Sequence, residues 1–119
     1  AWRLARQPPS ARVGGRWVRL VVAVVAAEAY TIAVFLLAPD AAIPLHDHPG
    51  MTVLSRVLAG SVRVRSFDVE EALRGGDLRA TPEEATVRAP GLSALFPAVK
   101  NVHEFVAGAG GCSVLAVCL

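Results

Sequence analysis

The chain contains three histidines, and two of them, His46 and His48, are separated by a single residue in the run Leu45-His46-Asp47-His48-Pro49. On an extended strand, residues two apart project from the same face. The pair therefore sets two imidazoles side by side, within reach of one cation. Asp47 points the opposite way, and a structural hydrogen-bonding role suits it better than ligation. The third histidine, His103, follows 55 residues after His48, in a segment that reads as a strand able to oppose the first. Three imidazoles from two facing strands make a facial metal site with positions left open for substrate and oxygen. Imidazole suits iron, zinc, copper and nickel alike, so ligand type alone leaves the metal open. An H-x-H pair also occurs on solvent-facing strands, where it needs no ligand. Here Pro44 and Pro49 bracket the pair and limit ladder pairing, as at the bulged or open rim beside a site. That context favours the metal reading.

Positioning these side chains calls for strands, and the chain reads as short strands punctuated by Gly and Pro. The apolar run from Trp17 to Ala38 is about long enough to span a bilayer. It carries Arg19 near one end and Glu28 near its middle, where an ionisable group costs about 2.5–3.5 kcal/mol on insertion scales. Its β-branched residues (Val18, Val21, Val22, Val24, Val25, Thr31, Ile32, Val34) favour strands. Split at Ala26–Ala29, it gives two buried strands rather than a membrane helix. The residues before it, AWRLARQPPSARVGGR, read as an irregular lead-in and not as a targeting peptide. In SVRVRSFD, Val62 and Val64 face one side, Arg63 and Arg65 the other. Val69–Ala85 is charged and contains Gly75-Gly76 and Pro82. It reads as a solvated insertion with one helical turn at Glu70–Arg74. Short strands at Thr86–Ala89, Ser93–Phe96, Val102–Val106 and Ser113–Leu119 follow, the last two joined by a GAGG turn. No internal repeat and no long helical period competes with an all-β sandwich or barrel.

Composition agrees. With 119 residues, 54% of them apolar and 18% charged, the chain is not disordered and is of a size for one core. It reads as one domain over residues 1–119, trimmed at one or both ends. A net charge of +2 is too small to make nucleic acid the main partner. The two cysteines, Cys112 and Cys118, cannot build a disulfide framework, so a reducing interior is the simpler context. The expected location is cytoplasmic or nuclear, with no membrane association.

The stretch IPLHDHPGMTVLSRVLAGSVRVRSFD, with YTIAVFLLAP upstream and FPAVKNVHEF downstream, resembles the thiol dioxygenases that include plant cysteine oxidases and cysteamine (2-aminoethanethiol) dioxygenase. The likeness runs from about Val18 to the end, and its core motif is the eleven residues from Ile43 to Val53. It implies a small cupin barrel, a double-stranded β-helix, holding one non-haem Fe(2+) on His46, His48 and His103. Most cupins add a Glu four or five residues after the second histidine. Thr52 and Val53 stand there instead, which fits the three-histidine thiol dioxygenases. The family's last strand usually carries an Asp, whose place falls at about Ala116, ahead of a Pro-Pro-Tyr that this sequence does not reach. Met51-Thr52-Val53, Ser55, Gly60-Ser61 and Ser66-Phe67-Asp68 are more similar to the plant cysteine oxidase branch.

That branch implies oxidation of a protein's N-terminal cysteine to the sulfinic acid by O2, which marks the protein for degradation when oxygen is present. The expected partners are a protein or peptide with an N-terminal Cys and O2, with the chain acting as a monomer. Competing readings are a cysteamine or other small-thiol dioxygenase and, from another class, a non-catalytic metal- or ligand-binding cupin.

Other side chains carry plainer expectations. Tyr30 reads as core, and Glu104 as a solvated residue pointing away from the metal. Cys112 and Cys118 read as buried inert thiols. Arg56, Arg63 and Arg65 form either the wet face of a strand or, less simply, a stripe for an acidic peptide.

Overall fold

The computed structural model describes residues 11–13, 16–18, 23–72, 74–76 and 78–119. Nine strands make up the described fold: β1 (Ala11–Val13), β2 (Arg16–Val18), β3 (Ala23–Ala26), β4 (Thr31–Leu37), β5 (Ala42–His46), β6 (Val53–Ala72), β7 (Leu78–Arg88), β8 (Leu92–Leu95) and β9 (Val102–Cys118). All pairings are antiparallel. The main sheet runs β3-β4-β9-β6-β7, with β5 added to β9 and β8 added to β6. No described helix is long and apolar enough to cross a membrane. This is the all-β architecture expected from the short alternating segments.

The long strands β6 and β9 organise the rest, because each serves two sets of neighbours. Residues 112–118 of β9 pair with β4, and its Val106, Phe105 and His103 pair with β5. Likewise Val53–Arg56 of β6 pair with β8 and Ser61–Ala72 with β7. A strand can change sheets only by bending, and glycine marks the bend. At the β6–β9 crossing the register passes from Gly60↔Cys112 to Val62↔Ala107, advancing two residues on β6 and five on β9. Gly60 has φ of 73°, and a Cβ there would lie 2.1 Å from the Gly111 carbonyl oxygen. The GAGG segment is thus a bulge inside one continuous strand, not a turn between two. Backbone compensation at Gly60 lets both strands stay paired through it.

Inside lie Leu37, Val57, Val62, Val64, Phe105, Ala107, Cys112 and Val114, all buried. Val57, Val62 and Val114 are fully buried, each contributing about 1.5–3 kcal/mol relative to exposure. The alternation expected in SVRVRSFD holds: Val62, Val64 and Ser66 are buried, Arg63 and Arg65 exposed.

Several expectations are corrected. Residues 69–71 and 79–85 are largely exposed, as expected, but residues 69–72 and 78–85 hold no helical turn and form no separate insertion; they extend the β6–β7 hairpin, whose register runs to Ala72↔Leu78. Cross-strand contacts override local helical preference there: Arg79 meets Glu71 at 3.3 Å, and Thr81 donates to the Glu70 carboxylate. Gly75 and Gly76, with φ of 88° and 87°, make the reversal that helical residues would not. The lead-in is not irregular throughout, since β1 and β2 pair. The expected pair of strands from the Trp17–Ala38 run is present as β3 and β4, although residues 19–22 lie outside the described set. The pair is not buried as expected: Val25 is 58% and Leu36 45% exposed, because β3 lies at the sheet edge with only β4 beside it. Tyr30 is not core. It sits 41% exposed at the β3–β4 connection, because the hairpin reverses just before the strand's inward-facing positions begin.

Candidate metal centre

His46 ends β5 and is the direct cross-strand partner of His103 in β9. Partners in register present side chains to the same face, so the ladder itself brings these two rings together, 4.6 Å apart between centroids. The ladder is irregular between Ile43 and His46, where Pro44 removes a donor, as the bracketing prolines suggest.

His48 reaches the same point by another route. It lies two residues beyond β5, off any strand, so strand alternation does not hold it. Asn101 does. The His48 N–H donates to Asn101 Oδ1 at 2.9 Å, and Asn101 Nδ2 donates back to the His48 carbonyl at 2.8 Å. A side-chain amide here replaces the neighbouring strand that the backbone lacks. Asn101 also donates to the Phe96 carbonyl at 3.2 Å, tying the pair to the Phe96–Val99 turn. Sequence reasoning did not single out Asn101. An amide two residues before His103, just ahead of the strand opposite an H-x-H pair, was the available signal.

The three rings converge. His103 Nε2 lies 3.1 Å from His46 Nε2 and 3.2 Å from His48 Nε2, and one nitrogen from each ring falls within 4.8 Å of the others. Nitrogens bound to one metal at about 2.1 Å are roughly 3.0 Å apart at a right angle and 3.4 Å apart at the tetrahedral angle. The two separations to His103 fall between those values, and the three nitrogens lie within 4.8 Å of one another, so the cluster could hold one cation once the His46 and His48 rings draw in around it. His46 Nδ1 donates to the Pro44 carbonyl at 2.7 Å. A carbonyl can only accept, so in the neutral ring this leaves the lone pair on the inward Nε2. Phe105 packs against His103, 4.7 Å between centroids.

Electrostatics keep the lone pairs of His48 and His103 free of protons. Burial, reinforced by the His46 ring, pushes His48 down to about 4. Burial, then His46 and His48, push His103 down to about 3. Three clustered imidazoles resist becoming three cations, and a neutral imidazole is the form that binds metal.

The neighbouring side chains are otherwise conventional. Glu104 faces away from the cluster and pairs with Arg65 at 2.7 Å; Arg63 lies 4.0 Å from Glu84. The arginines of both pairs are exposed, while Glu104 is half-buried. Surface pairs of this kind contribute about 0–1 kcal/mol, and the arginine row is the wet face of a strand. Cys112 and Cys118 are free thiols, pushed by burial above the usual thiol range, so both resist thiolate chemistry. Beside His103 opens a cavity of about 200 Å³, walled by Val64, Val87 and Leu95.

Comparison with known proteins follows the same lines. Residues 13–118 match the family model PCO_ADO. Plant cysteine oxidase 1 of Arabidopsis thaliana is 38% identical over 96 residues, covering 76% of this chain and 32% of that protein. A probable 2-aminoethanethiol dioxygenase of Dictyostelium discoideum is 35% identical over 100 residues, covering 74% of this chain and 43% of that protein. The chain therefore spans well under half the length of these relatives. An oxalate decarboxylase of Lactobacillus farciminis, solved as its formate complex, superposes with a TM-score of 0.61 at 22% identity over 75% of this chain and 23% of that one. At that identity the likeness speaks for the fold alone, and the fold is the cupin barrel.

Proposed function

Since the chain belongs to the PCO_ADO family, which joins plant cysteine oxidases with 2-aminoethanethiol dioxygenases, we propose that its barrel is an iron-dependent thiol dioxygenase. The observation that carries this reading is the convergence of His46, His48 and His103 on one point, with no carboxylate among the three. A trio of neutral imidazoles leaves a bound Fe(2+) with its full double charge, which favours one anionic thiolate. When bound, the ferrous ion supplies redox activation of dioxygen and stabilises the thiolate form of the substrate. The overall reaction is thiol plus O2 to sulfinic acid. Sulfur loses four electrons and O2 gains four, so no outside reductant is needed, and both oxygens end on sulfur.

The chain's own residues do the holding. His46 keeps its lone pair inward through its bond to Pro44, Asn101 fixes His48, and Phe105 limits tilting of the His103 ring. Val64, Val87 and Leu95 give the cavity beside His103 an apolar side, and Ser66, Glu83 and Lys100 give it a polar one. The first substrate to test is a peptide beginning with Cys, the protein-directed chemistry of the plant branch. A small aminothiol is the second reading, favoured by the Dictyostelium relative's name.

The deciding experiment is anaerobic loading with Fe(2+), then exposure to O2 with a Cys-initiated peptide or with cysteamine, read by mass spectrometry. Gain of two oxygens on the peptide supports the protein-directed reading, and gain on cysteamine alone supports the small-thiol one. Iron retention without oxygen consumption on either would leave a metal-binding cupin with no dioxygenase activity.

A further inference from the structure

Four residues from four adjacent strands stand in one cross-strand row. His46 of β5 pairs with His103 of β9, His103 with Ser66 of β6, and Ser66 with Glu83 of β7. Partners in register share a face, and His103 and Glu83 stand about 10 Å apart, two strand spacings. The row therefore leads from the histidine cluster to a carboxylate across the short, buried side chain of Ser66. The cavity beside the cluster follows it, lined by His103, Ser66 and Glu83. Among its described lining residues Glu83 is the only acid and Lys100 the only lysine or arginine. The two are bound to each other, Lys100 Nζ to Glu83 Oε1 at 2.6 Å, and both remain partly exposed. Lys100 holds φ at 57°, in the left-handed region that disfavours any residue but glycine. Its N–H donates to the Asp68 carboxylate, so the turn is braced where its ammonium meets Glu83.

We propose that Glu83 anchors the ammonium group of an aminothiol whose sulfur lies at the histidine cluster, with Lys100 occupying that carboxylate until substrate displaces it. This rests on the thiol-oxidising reading above and adds which side chain recognises the nitrogen. Cysteamine and an N-terminal cysteine share a thiol and an ammonium two carbons apart, so with the sulfur held at the cluster the ammonium extends along the row towards the Glu83 carboxylate, whose side chain covers the remaining distance. A thiol without the ammonium uses one end only. Lys100 opposes the incoming cation both by its own charge and by holding Glu83.

The test separates the two ends. Under argon, the chain loaded with Co(II) is titrated with cysteamine and with 2-mercaptoethanol, and the thiolate-to-cobalt absorption gives each Kd. E83Q weakens cysteamine about tenfold, the scale of a lost charge-assisted hydrogen bond, while 2-mercaptoethanol stays within about twofold. K100M tightens cysteamine and leaves 2-mercaptoethanol unchanged. Equal shifts of both thiols in E83Q, no shift of either, or weaker cysteamine binding in K100M would overturn the assignment. Absence of a thiolate band with either thiol in the unsubstituted chain would sink the thiol-centre reading itself, and this assignment with it.

Discussion

The metal-binding competence of the histidine cluster depends on His48 and His103 staying unprotonated. His48 and His103 titrate near 6.5 in the unfolded chain but only near 4 and 3 in the fold. Below pH 6.5 the unfolded state therefore binds protons that the folded state refuses, and folding loses free energy. The metal-free chain should be insensitive to these groups above pH 6.5. It should weaken as pH falls from there towards about 4, at up to about 1.4 kcal/mol per pH unit for each histidine. Urea midpoints at pH 7, 6 and 5 measure this, and a flat series would contradict it. His103→Ala should abolish iron retention and turnover while circular dichroism still reports a folded barrel. Asn101→Ala should weaken metal binding about 10–100-fold, the usual effect of losing a group that orients a ligand. Calorimetric titration with Co(II) reads it directly, and unchanged affinity with a lowered melting temperature would reduce Asn101 to a structural role.

Among elements, the crossing of β6 and β9 decides whether the site is assembled. Gly60 and Gly111 meet there with φ of 73° and 75°, and neither has room for a Cβ. Gly60→Ala should cost about 2–4 kcal/mol, combining the left-handed backbone penalty with overpacking, as read by denaturant unfolding. Gly76→Ala at the β6–β7 tip has φ of 87° but nothing within 4 Å, so only the backbone penalty of about 1–2 kcal/mol applies. A larger loss at the tip than at the crossing would show that the bend is not what holds the two long strands in register. The β6–β7 hairpin carries Glu83 at the height of His103, so its register matters to the cavity as well as to the sheet.

For the molecule as a whole, metal and fold are linked, because the cluster joins β5, β9 and the segment beyond β5 that no ladder holds. Saturation with Fe(2+) at one hundred times its Kd should raise the unfolding free energy by about 2.7 kcal/mol. Chelation should reverse the gain in thermal melts. How the chain reaches this state divides cleanly between its levels. Alternation in SVRVRSFD, the β-branched run before Ala38 and the H-x-H pair between prolines are local patterns. Strand type, buried faces and the three imidazoles were accordingly legible in the residues themselves. Local pattern misjudged the stretch from Val69 to Ala85 and the GAGG segment, because cross-strand partners distant in sequence turned one into a hairpin and the other into a bulge. Tertiary pairing alone decided that His46 faces His103, that Asn101 substitutes for a missing strand beside His48, and that Glu83 shares their row. Those relations belong to register, which is set when residues on different strands, from Ser66 and Glu83 to His46 and His103, pair across a sheet, and no periodicity within a segment encodes it.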